Sequence, residues 1–262
     1  MDINRRQREI LSILRAEERA EVDELARRFG VSSQTIRTDL RVLDELGLAR
    51  RIHGGVRRLE AVANREYAER RRLRAREKAA IADAAAALIP DNCSVALNIG
   101  TTTELVARAL QPRHGLVVLS NNINIVTMMM GGPARELVLA GGSVRQSDGA
   151  IIGHEAVEFM SRYKVDYAVV GASAMDPDGA ILDYDAREVA VARAILANAR
   201  TRILVSDASK FDHTAPVRIC DVAELDYVVT DAPPPPAFAE AARRARTTII
   251  VAELPAEERR RA

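Results

Sequence analysis

The sequence lacks any run of about eighteen uncharged apolar residues, so it offers no segment that could span a membrane. Its first residues are charged and polar, which argues against a secretory signal. Two cysteines, Cys93 and Cys220, are too few for a disulfide framework and are typical of the reducing cytoplasm. The four histidines are not spaced as metal ligands. We therefore expect a cytoplasmic protein without a metal or a cofactor.

The chain also lacks a large net charge, but its charge is unevenly distributed. Its 262 residues include 38 basic and 37 acidic residues, which give a net charge of +1. Residues 1–78 hold 20 basic and 14 acidic residues, whereas residues 79–262 hold 18 and 23. This basic head on an acidic body predicts a polyanionic partner for the head alone. The length and the hydrophobic fraction of 48% predict one large domain plus a small one.

The head has the pattern of a helix-turn-helix. Apolar residues mark one face of a first helix: Ile3, Ile10, Leu11 and Leu14. A second helix is predicted from Asp23, a possible N-cap, to Phe29, and Gly30 ends it. A third helix begins after Ser32 or Ser33 as N-cap and ends at Gly47. Its predicted buried stripe comprises Ile36, Leu40, Leu43 and Leu46.

The opposite face of the third helix suits DNA. Residues 34, 37, 38 and 41 share this face by their spacing. Gln and Arg side chains match the donors and acceptors of base edges, and Ser or Thr hydroxyls reach phosphates. Arg37 and Arg41 repel each other four residues apart, and a polyanion would relieve that repulsion. The predicted contacts are Ser32, Ser33, Gln34, Thr35, Arg37, Thr38 and Arg41.

A basic hairpin follows the third helix. Residues 48–59 predict two short strands joined at Gly54-Gly55, with arginines on both sides of the turn. Such a wing lays basic residues along the DNA backbone. The predicted contacts are Arg51, His53, Gly54, Gly55 and Arg57. The alternative is an ordinary helical cap with a solvated charged surface, but the helices, turn and hairpin in series favour a winged DNA-binding domain.

The domain boundaries follow from these patterns. We predict a DNA-binding domain over residues 1–60, a basic linker over 61–77, an effector domain over 78–252 and a tail over 253–262. Residues 65–78 contain seven basic residues against three acidic ones. They form either further phosphate contacts or a solvated helical linker, and we favour the linker because nothing there is typical of base readout.

The body alternates strand and helix patterns, which predicts a doubly wound α/β domain with a parallel sheet. The predicted strands are 94–98, 116–119, 136–140, 166–170, 201–205, 227–230 and 247–251. The predicted helices are 102–110, 123–130, 155–162, 188–199 and 236–245. Ligands of such sheets bind beyond the carboxyl ends of the strands.

Small polar residues follow these strands and predict a site for a phosphorylated, hydroxylated ligand. Glycine and threonines at a helix N-terminus suit phosphate. Lys210 stands out because the chain has three lysines, although it could also be a surface residue. Each loop alone could be an ordinary turn. The predicted ligand residues are Asn98, Gly100, Thr101, Thr102, Thr103, Ser120, Asn121, Gly141, Gly142, Arg145, Asp183, Glu188 and Lys210.

Asp183 and Glu188 allow two interpretations. Either carboxylate could hold sugar hydroxyls or act as a general base. Glu188 could equally be a first-turn acid that the helix dipole favours.

Two segments of the head, 31–40 and 51–55, resemble the signature of the DeoR family of bacterial transcriptional repressors. The body is similar to the sugar-phosphate-sensing domain of that family at Ile99–Thr103, Ser120–Asn122, Gly141-Gly142, Gly171, Glu188 and Ser209–Phe211. This resemblance implies a sensor related in fold to ribose-5-phosphate isomerase, and a repressor rather than an enzyme. The chain departs from the family at Thr38, Asn98 and Ala208, which alters the expected operator and ligand contacts.

Segments 147–153, 176–182 and 230–236 are most similar to family members that control glycerol-3-phosphate metabolism. This similarity implies glycerol 3-phosphate as the inducer and operator DNA as the partner. One alternative is a repressor that responds to a sugar phosphate such as fructose 1-phosphate. Another is an isomerase with Asp183 or Glu188 as base and Lys210 as phosphate anchor. A single head buries little DNA surface, so we expect a homodimer or homotetramer.

Overall fold

The structure is a computed structural model that describes residues 4–17, 19–45, 49–52, 54–58 and 67–253. The chain divides into two compact units, Met1–Glu66 and Tyr67–Ala262. Among the helices in the described ranges, none has both the length and the apolar character needed to cross a bilayer. Several residues of the sequence predictions lie outside the described residues: Ile3, Leu46, Gly47, His53, residues 61–66 and residues 254–262.

The first unit packs three helices against a three-stranded antiparallel sheet. Its elements are α1 (Arg5–Glu17), β1 (Arg19–Glu21), α2 (Val22–Phe29), α3 (Ser33–Glu45), β2 (Ala49–Ile52) and β3 (Gly55–Arg58). The strand order is β1-β3-β2. The core is fully buried and includes Ile10, Leu14, Leu25, Ile36, Leu40 and Leu43. The predicted helix-turn-helix and hairpin are therefore present, and the hairpin gains a third strand.

Two local predictions in this unit were wrong. The N-cap of α2 is Glu21 rather than Asp23, because β1 pairs with β3 up to Glu21 and the helix follows at once. The Val22 N–H donates to the Gly54 carbonyl at 3.0 Å, which replaces a side-chain cap. The hairpin turn is also one residue earlier than predicted, because Gly55 already belongs to β3, where it pairs with Ile52.

The second unit is a seven-stranded parallel sheet with helices on both faces, as the alternating pattern predicted. Its sheet strands are β4 (Ser94–Leu97), β5 (Val117–Ser120), β6 (Glu136–Leu139), β7 (Val165–Val170), β10 (Ala199–Val205), β12 (Tyr227–Thr230) and β13 (Thr248–Val251). Its helices are α4 (Tyr67–Arg72), α5 (Ala75–Ala87), α6 (Thr101–Ala109), α7 (Ile123–Met129), α8 (His154–Ser161), α9 (Ala186–Ala197) and α10 (Pro236–Ala245).

Alternate strand residues enter two separate cores. Val169 and Val229 pack with α5, α6 and α7, whereas their neighbours Ala168 and Val228 pack with α8, α9 and α10. Successive side chains of a strand point to opposite faces, so each strand must be apolar on both sides.

The strand order β13-β12-β10-β7-β4-β5-β6 places a switch point between β4 and β7. In chain order, β5 and β6 are added on one side of β4, and β7 is then added on its other side. The carboxyl ends of β4 and β7 therefore border the crevice where ligands of open parallel sheets bind.

Three features of this unit were not predicted. Residues 67–77, predicted as a helical linker, are largely helical, but they form α4 and the first turn of α5 within the second unit. The remainder of α5 was missed as well. A small antiparallel sheet joins β8 (Ala174–Met175), β9 (Ala180–Asp183) and β11 (Val217–Asp221) in the order β11-β9-β8. Strands this short depend on partners distant in sequence, so local patterns do not reveal them.

Candidate DNA interface and anion site

The predicted DNA-contacting face lies on α3, which begins after the turn that follows α2. Gly30 adopts a left-handed conformation at φ +62°, and Ser32 caps α3 by accepting the Thr35 N–H at 3.2 Å. The Ser33 hydroxyl donates to Asp23 at 2.8 Å, so Asp23 fastens the turn. The side chains on the outer face of α3 are exposed: Gln34, Arg37, Thr38 and Arg41.

A buried carboxylate on α3, which the sequence analysis missed, joins this helix to α1. Asp39 accepts the Arg6 Nε at 2.6 Å and the Gln7 Nε2 at 3.0 Å, and it is 4% exposed. The Asn4 Nδ2 donates to the same carboxylate at 3.3 Å. A buried charge is stable only when it is paired and hydrogen-bonded, so these contacts hold α3 in one orientation.

The wing requires glycine at position 55 because β1 lies against it. A Cβ atom there would approach the Ala20 carbonyl oxygen to 2.5 Å. Gly54 has φ +79° in the turn. Arg51 on β2 is exposed, and Arg57 lies in β3.

At the carboxyl end of β4, the predicted phosphate loop starts α6. Gly100 adopts φ +140° and supplies no side-chain cap for the first N–H groups of the helix. Thr102 and Thr103 are buried, and the Thr103 hydroxyl donates to the Gly100 carbonyl at 2.8 Å. The Thr101 hydroxyl accepts the Lys78 Nζ at 3.1 Å. The loop therefore combines uncapped backbone donors with a cation, as an anion site requires.

Lys78 on α5, which the sequence analysis did not select, is the buried cation of this edge. Its pKa is lowered to about 8, chiefly by burial; Asp207 opposes this shift, and the charges of Lys210 and Arg70 add to it. Lys210 lies in the short 3₁₀ turn Ala208–Asp212, which follows β10. The structure thus places the predicted Thr101 in direct contact with Lys78.

Four buried oxygens at the carboxyl edge have no hydrogen-bond partner among the described residues. They are Asn98 Oδ1, Asn121 Oδ1, Ser206 Oγ and Thr230 Oγ1, and each side chain is at least nine-tenths buried. These residues directly follow or end β4, β5, β10 and β12. Buried polar atoms are normally satisfied, so four at one sheet edge indicate a place where a ligand supplies partners.

Other predicted ligand residues lie at the end of β5 and in the loop after β6. The Ser120 hydroxyl donates to the Leu97 carbonyl at 2.8 Å and accepts the Asn122 N–H at 3.1 Å. Gly141 and Gly142 are exposed in the loop after β6, and Gly142 has φ +128°.

Glu104, another residue missed from sequence, anchors α4. The Tyr67 hydroxyl donates to its carboxylate at 2.6 Å, and Asn122 Nδ2 donates at 3.1 Å. Burial and the bond to Glu104 raise the pKa of Tyr67 to about 12. Asn124 Nδ2 donates to the Tyr67 oxygen at 3.1 Å and to the Asp148 carbonyl at 2.9 Å.

Arg145 joins the predicted Glu188 to Asp148, a carboxylate that the sequence analysis did not select. Its Nε donates to Asp148 at 2.8 Å and its Nη1 donates to Glu188 at 2.5 Å. Burial raises the pKa of Glu188, the nearby charge of Asp183 adds to this, and Arg145 opposes both. Burial likewise raises the pKa of Asp183. Arg70 Nη2 lies 3.8 Å from Asp148 Oδ2, and the Arg70 carbonyl oxygen accepts a hydrogen bond from Lys78 Nζ. Arg70 therefore links the contacts of Lys78 to those of Arg145.

The described residues contain no group of three or more His, Cys, Asp or Glu side chains placed to hold a metal ion. Cys220 is buried, and burial raises the pKa of its thiol to about 12. The carboxyl edge carries cations, amides and hydroxyls together with the buried carboxylates of Asp207 and Asp231.

Comparisons with known proteins match both units. Residues 6–62 match the DeoR-like helix-turn-helix domain, and residues 73–232 match the DeoR C terminal sensor domain. The glycerol-3-phosphate regulon repressor of Haemophilus influenzae is 39% identical over 225 residues, which are 86% of this chain and 88% of that protein. The HTH-type transcriptional repressor CsqR of Escherichia coli is 35% identical over 255 residues, 97% of each chain.

Among solved structures, ribose 5-phosphate isomerase A of Methanocaldococcus jannaschii aligns with 51% of this chain and 52% of its own, at 18% identity and a TM-score of 0.38. The domain matches and the near full-length relatives are far more specific. They show that this chain is a member of the DeoR family, with the helix-turn-helix and sensor domains of that family.

Proposed function

We propose that this protein is a transcriptional repressor whose binding to operator DNA is controlled by glycerol 3-phosphate. The outer face of α3 reads base edges, and the wing contacts the phosphate backbone. The effector binds at the carboxyl ends of β4, β5, β10 and β12. The repressor acts in the cytoplasm as a dimer or tetramer on repeated half-sites.

The observation that carries the effector proposal is the set of four unpartnered oxygens beside a cationic helix N-terminus. Lys78, Lys210 and the first N–H groups of α6 suit a phosphate. The amide and hydroxyl oxygens of Asn98, Asn121 and Ser206 suit the hydroxyls of a polyol. The choice of glycerol 3-phosphate rests on the name of the Haemophilus influenzae relative.

Thermal unfolding of the full chain against a panel of phosphates tests this proposal. The panel comprises glycerol 3-phosphate, fructose 1-phosphate, ribose 5-phosphate and inorganic phosphate. A ligand at about 100 times its Kd stabilises by about 2.7 kcal/mol, which raises the midpoint by several degrees. We expect this shift with glycerol 3-phosphate, and loss of DNA binding at the same concentration. A midpoint shift with one sugar phosphate alone would identify that compound as the inducer instead of glycerol 3-phosphate. If no phosphate shifts the midpoint, the proposed effector site is wrong.

Lys210→Ala provides the matched test of the site, with Lys164→Ala as control. Lys164 is exposed and its Nζ lies 3.5 Å from the Ala197 carbonyl. We expect the phosphate-induced shift to shrink in the first variant and to persist in the second. Equal shifts in both would remove Lys210 from the site.

A sugar-phosphate isomerase is the second candidate, because two half-buried carboxylates with raised pKa values, Asp183 and Glu188, lie beside the proposed site. Such carboxylates are candidate general bases. Glu188 is already paired with Arg145, which favours a positioning role. Turnover of a pentose or hexose phosphate that Glu188→Gln abolishes would establish the enzyme instead.

A further inference from the structure

The helices that open the second unit are interrupted at a residue that is strained without being a glycine. Between α4 and α5, Arg74 adopts φ +49° and ψ +40°. A residue with a Cβ atom adopts this left-handed conformation uncommonly, because it costs about 1–2 kcal/mol relative to the right-handed helix. The interruption between α4 and α5 therefore carries a backbone strain that other contacts must offset.

The local sequence favours the opposite outcome. Residues 67–87 contain neither glycine nor proline and consist largely of alanine, arginine and glutamate. These residue types have high helix propensity. Taken alone, the segment would form one continuous helix through position 74, so contacts from elsewhere must hold the break.

The first such contact is the Arg74 side chain. Its Nη1 lies 3.0 Å from Asp231 Oδ2 and its Nε lies 3.8 Å from Asp207 Oδ1. Both aspartate side chains are more than nine-tenths buried, and they follow β12 and β10 at the carboxyl edge of the sheet. The strained backbone is thus tied to the edge that carries the proposed phosphate site.

The second contact replaces a missing helical hydrogen bond. In an unbroken helix the Arg70 carbonyl would accept the N–H of residue 74. In this structure the Arg70 carbonyl accepts the Lys78 Nζ at 2.7 Å, and the same ammonium donates to Thr101 at 3.1 Å. Two cations of the carboxyl edge therefore stabilise the break.

We propose that Arg74 is a two-state hinge that couples the carboxyl edge of the sensor sheet to operator binding. This inference rests on the proposed function. A phosphate at the edge competes with Asp207, Asp231 and the Arg70 carbonyl for the two cations. The break then loses its supports, and residues 67–87 shift toward a continuous helix at the expense of the Tyr67–Glu104 contact. Because α4 is joined to the DNA-binding unit through residues 59–66, its new direction weakens operator binding.

Two substitutions at position 74 separate the backbone from the side chain. Arg74→Ala and Arg74→Gly both remove the guanidinium and its ion pairs. Glycine tolerates the left-handed conformation, whereas alanine favours the continuous helix. Using an operator selected from random DNA by the wild-type protein, we expect Arg74→Ala to bind about five-fold more weakly than Arg74→Gly. We also expect glycerol 3-phosphate to release Arg74→Ala less than Arg74→Gly.

Arg246 offers a matched control. It ends α10 with φ +65° and is exposed. Arg246→Ala and Arg246→Gly repeat the same backbone contrast away from the α4–α5 break. Both should bind the operator equally, although the alanine variant should melt a few degrees lower than the glycine variant.

The outcomes distinguish the hinge from the proposed function. If wild-type protein binds the operator and responds to glycerol 3-phosphate, equal operator binding by the two position-74 variants overturns the hinge alone. If wild-type protein does neither, the proposed function fails. The backbone strain at position 74, on which the hinge depends, is then tested by melting. A strained Arg74 requires the melting midpoint of Arg74→Gly to lie above that of Arg74→Ala. Equal midpoints would overturn it.

Discussion

Arg145 neutralises two carboxylates that are largely withdrawn from water. The side chains of Asp148 and Glu188 are 8% and 15% exposed, and both contact this guanidinium. The planar, forked guanidinium contacts both carboxylates at once, which a lysine could not reproduce. Arg145 is predicted from sequence as a ligand residue, and in the structure it pairs with these two carboxylates.

We predict that Arg145→Gln lowers the free energy of unfolding by about 3 kcal/mol, because it leaves two buried carboxylates without their cation. Denaturant unfolding of the full chain measures this change. Arg187→Gln is the control, since Arg187 pairs with Asp185 at the exposed surface and its loss should leave stability nearly unchanged. Equal effects of the two substitutions would contradict the buried network.

Gly55 and Gly54 provide a second residue-scale test. We predict that Gly55→Ala disrupts the wing and weakens operator binding strongly, because its Cβ would meet the Ala20 carbonyl. Gly54→Ala meets no atom within 4 Å and carries only the strain of φ +79°, about 1 kcal/mol. Operator titration and melting of both variants measure the contrast. A wing that tolerates Gly55→Ala as well as Gly54→Ala would be incompatible with the β1–β3 pairing.

At the scale of elements, the two faces of α3 have different roles in the first unit. Its inner face is fully buried at Ile36, Leu40 and Leu43. Asp39 ties the helix to α1, and Ser32 caps its beginning. These contacts orient the outer face without using any of its side chains.

We predict that Arg37→Ala weakens operator binding by about 1–3 kcal/mol and relaxes base preference. Arg37 is exposed on the outer face of α3, where a bidentate contact to guanine is the commonest specific interaction. Arg8→Ala, which removes an exposed arginine from α1, is the control of equal charge. Binding is measured at fixed salt. If Arg8→Ala weakens binding as much as Arg37→Ala, the effect is one of net charge and α3 does not read the bases.

At the scale of the whole molecule, regulation requires the sensor unit to change the affinity of the DNA-binding unit. A coupling free energy of about 1–3 kcal/mol is typical and changes operator occupancy strongly. The charged edge that includes Lys78, Arg70 and Arg74 is continuous with α4, which begins the sensor unit directly after residues 59–66. Charge at that edge therefore reaches the first helix of the sensor unit.

We predict that phosphate affinity falls as pH rises above about 8. The pKa of Lys78 is lowered to about 8 by burial, with Lys210 and Arg70 lowering it and Asp207 and Glu77 raising it. A phosphate dianion favours the charged lysine and raises that pKa, so binding above pH 8 takes up a proton and the Kd rises up to about tenfold per pH unit. Calorimetry with glycerol 3-phosphate in buffers of different ionisation enthalpy measures the uptake. Lys78→Arg, which stays charged, should remove the dependence. A flat Kd from pH 7 to 9.5 in the wild type would exclude Lys78 from the site.

The sequence by itself determined the elements whose patterns are local. Apolar stripes predicted α2 and α3, Gly30 marked the end of α2, and apolar runs buried on both faces predicted all seven strands of the parallel sheet. The tertiary structure alone decided which side chains meet. Glu104, Lys78 and Asp39 are ordinary helix residues in sequence, and they become buried charges through partners 8 to 37 positions away. It also decided the break at Arg74 against local helix propensity, because ion pairs with distant aspartates outweigh the preference of the backbone.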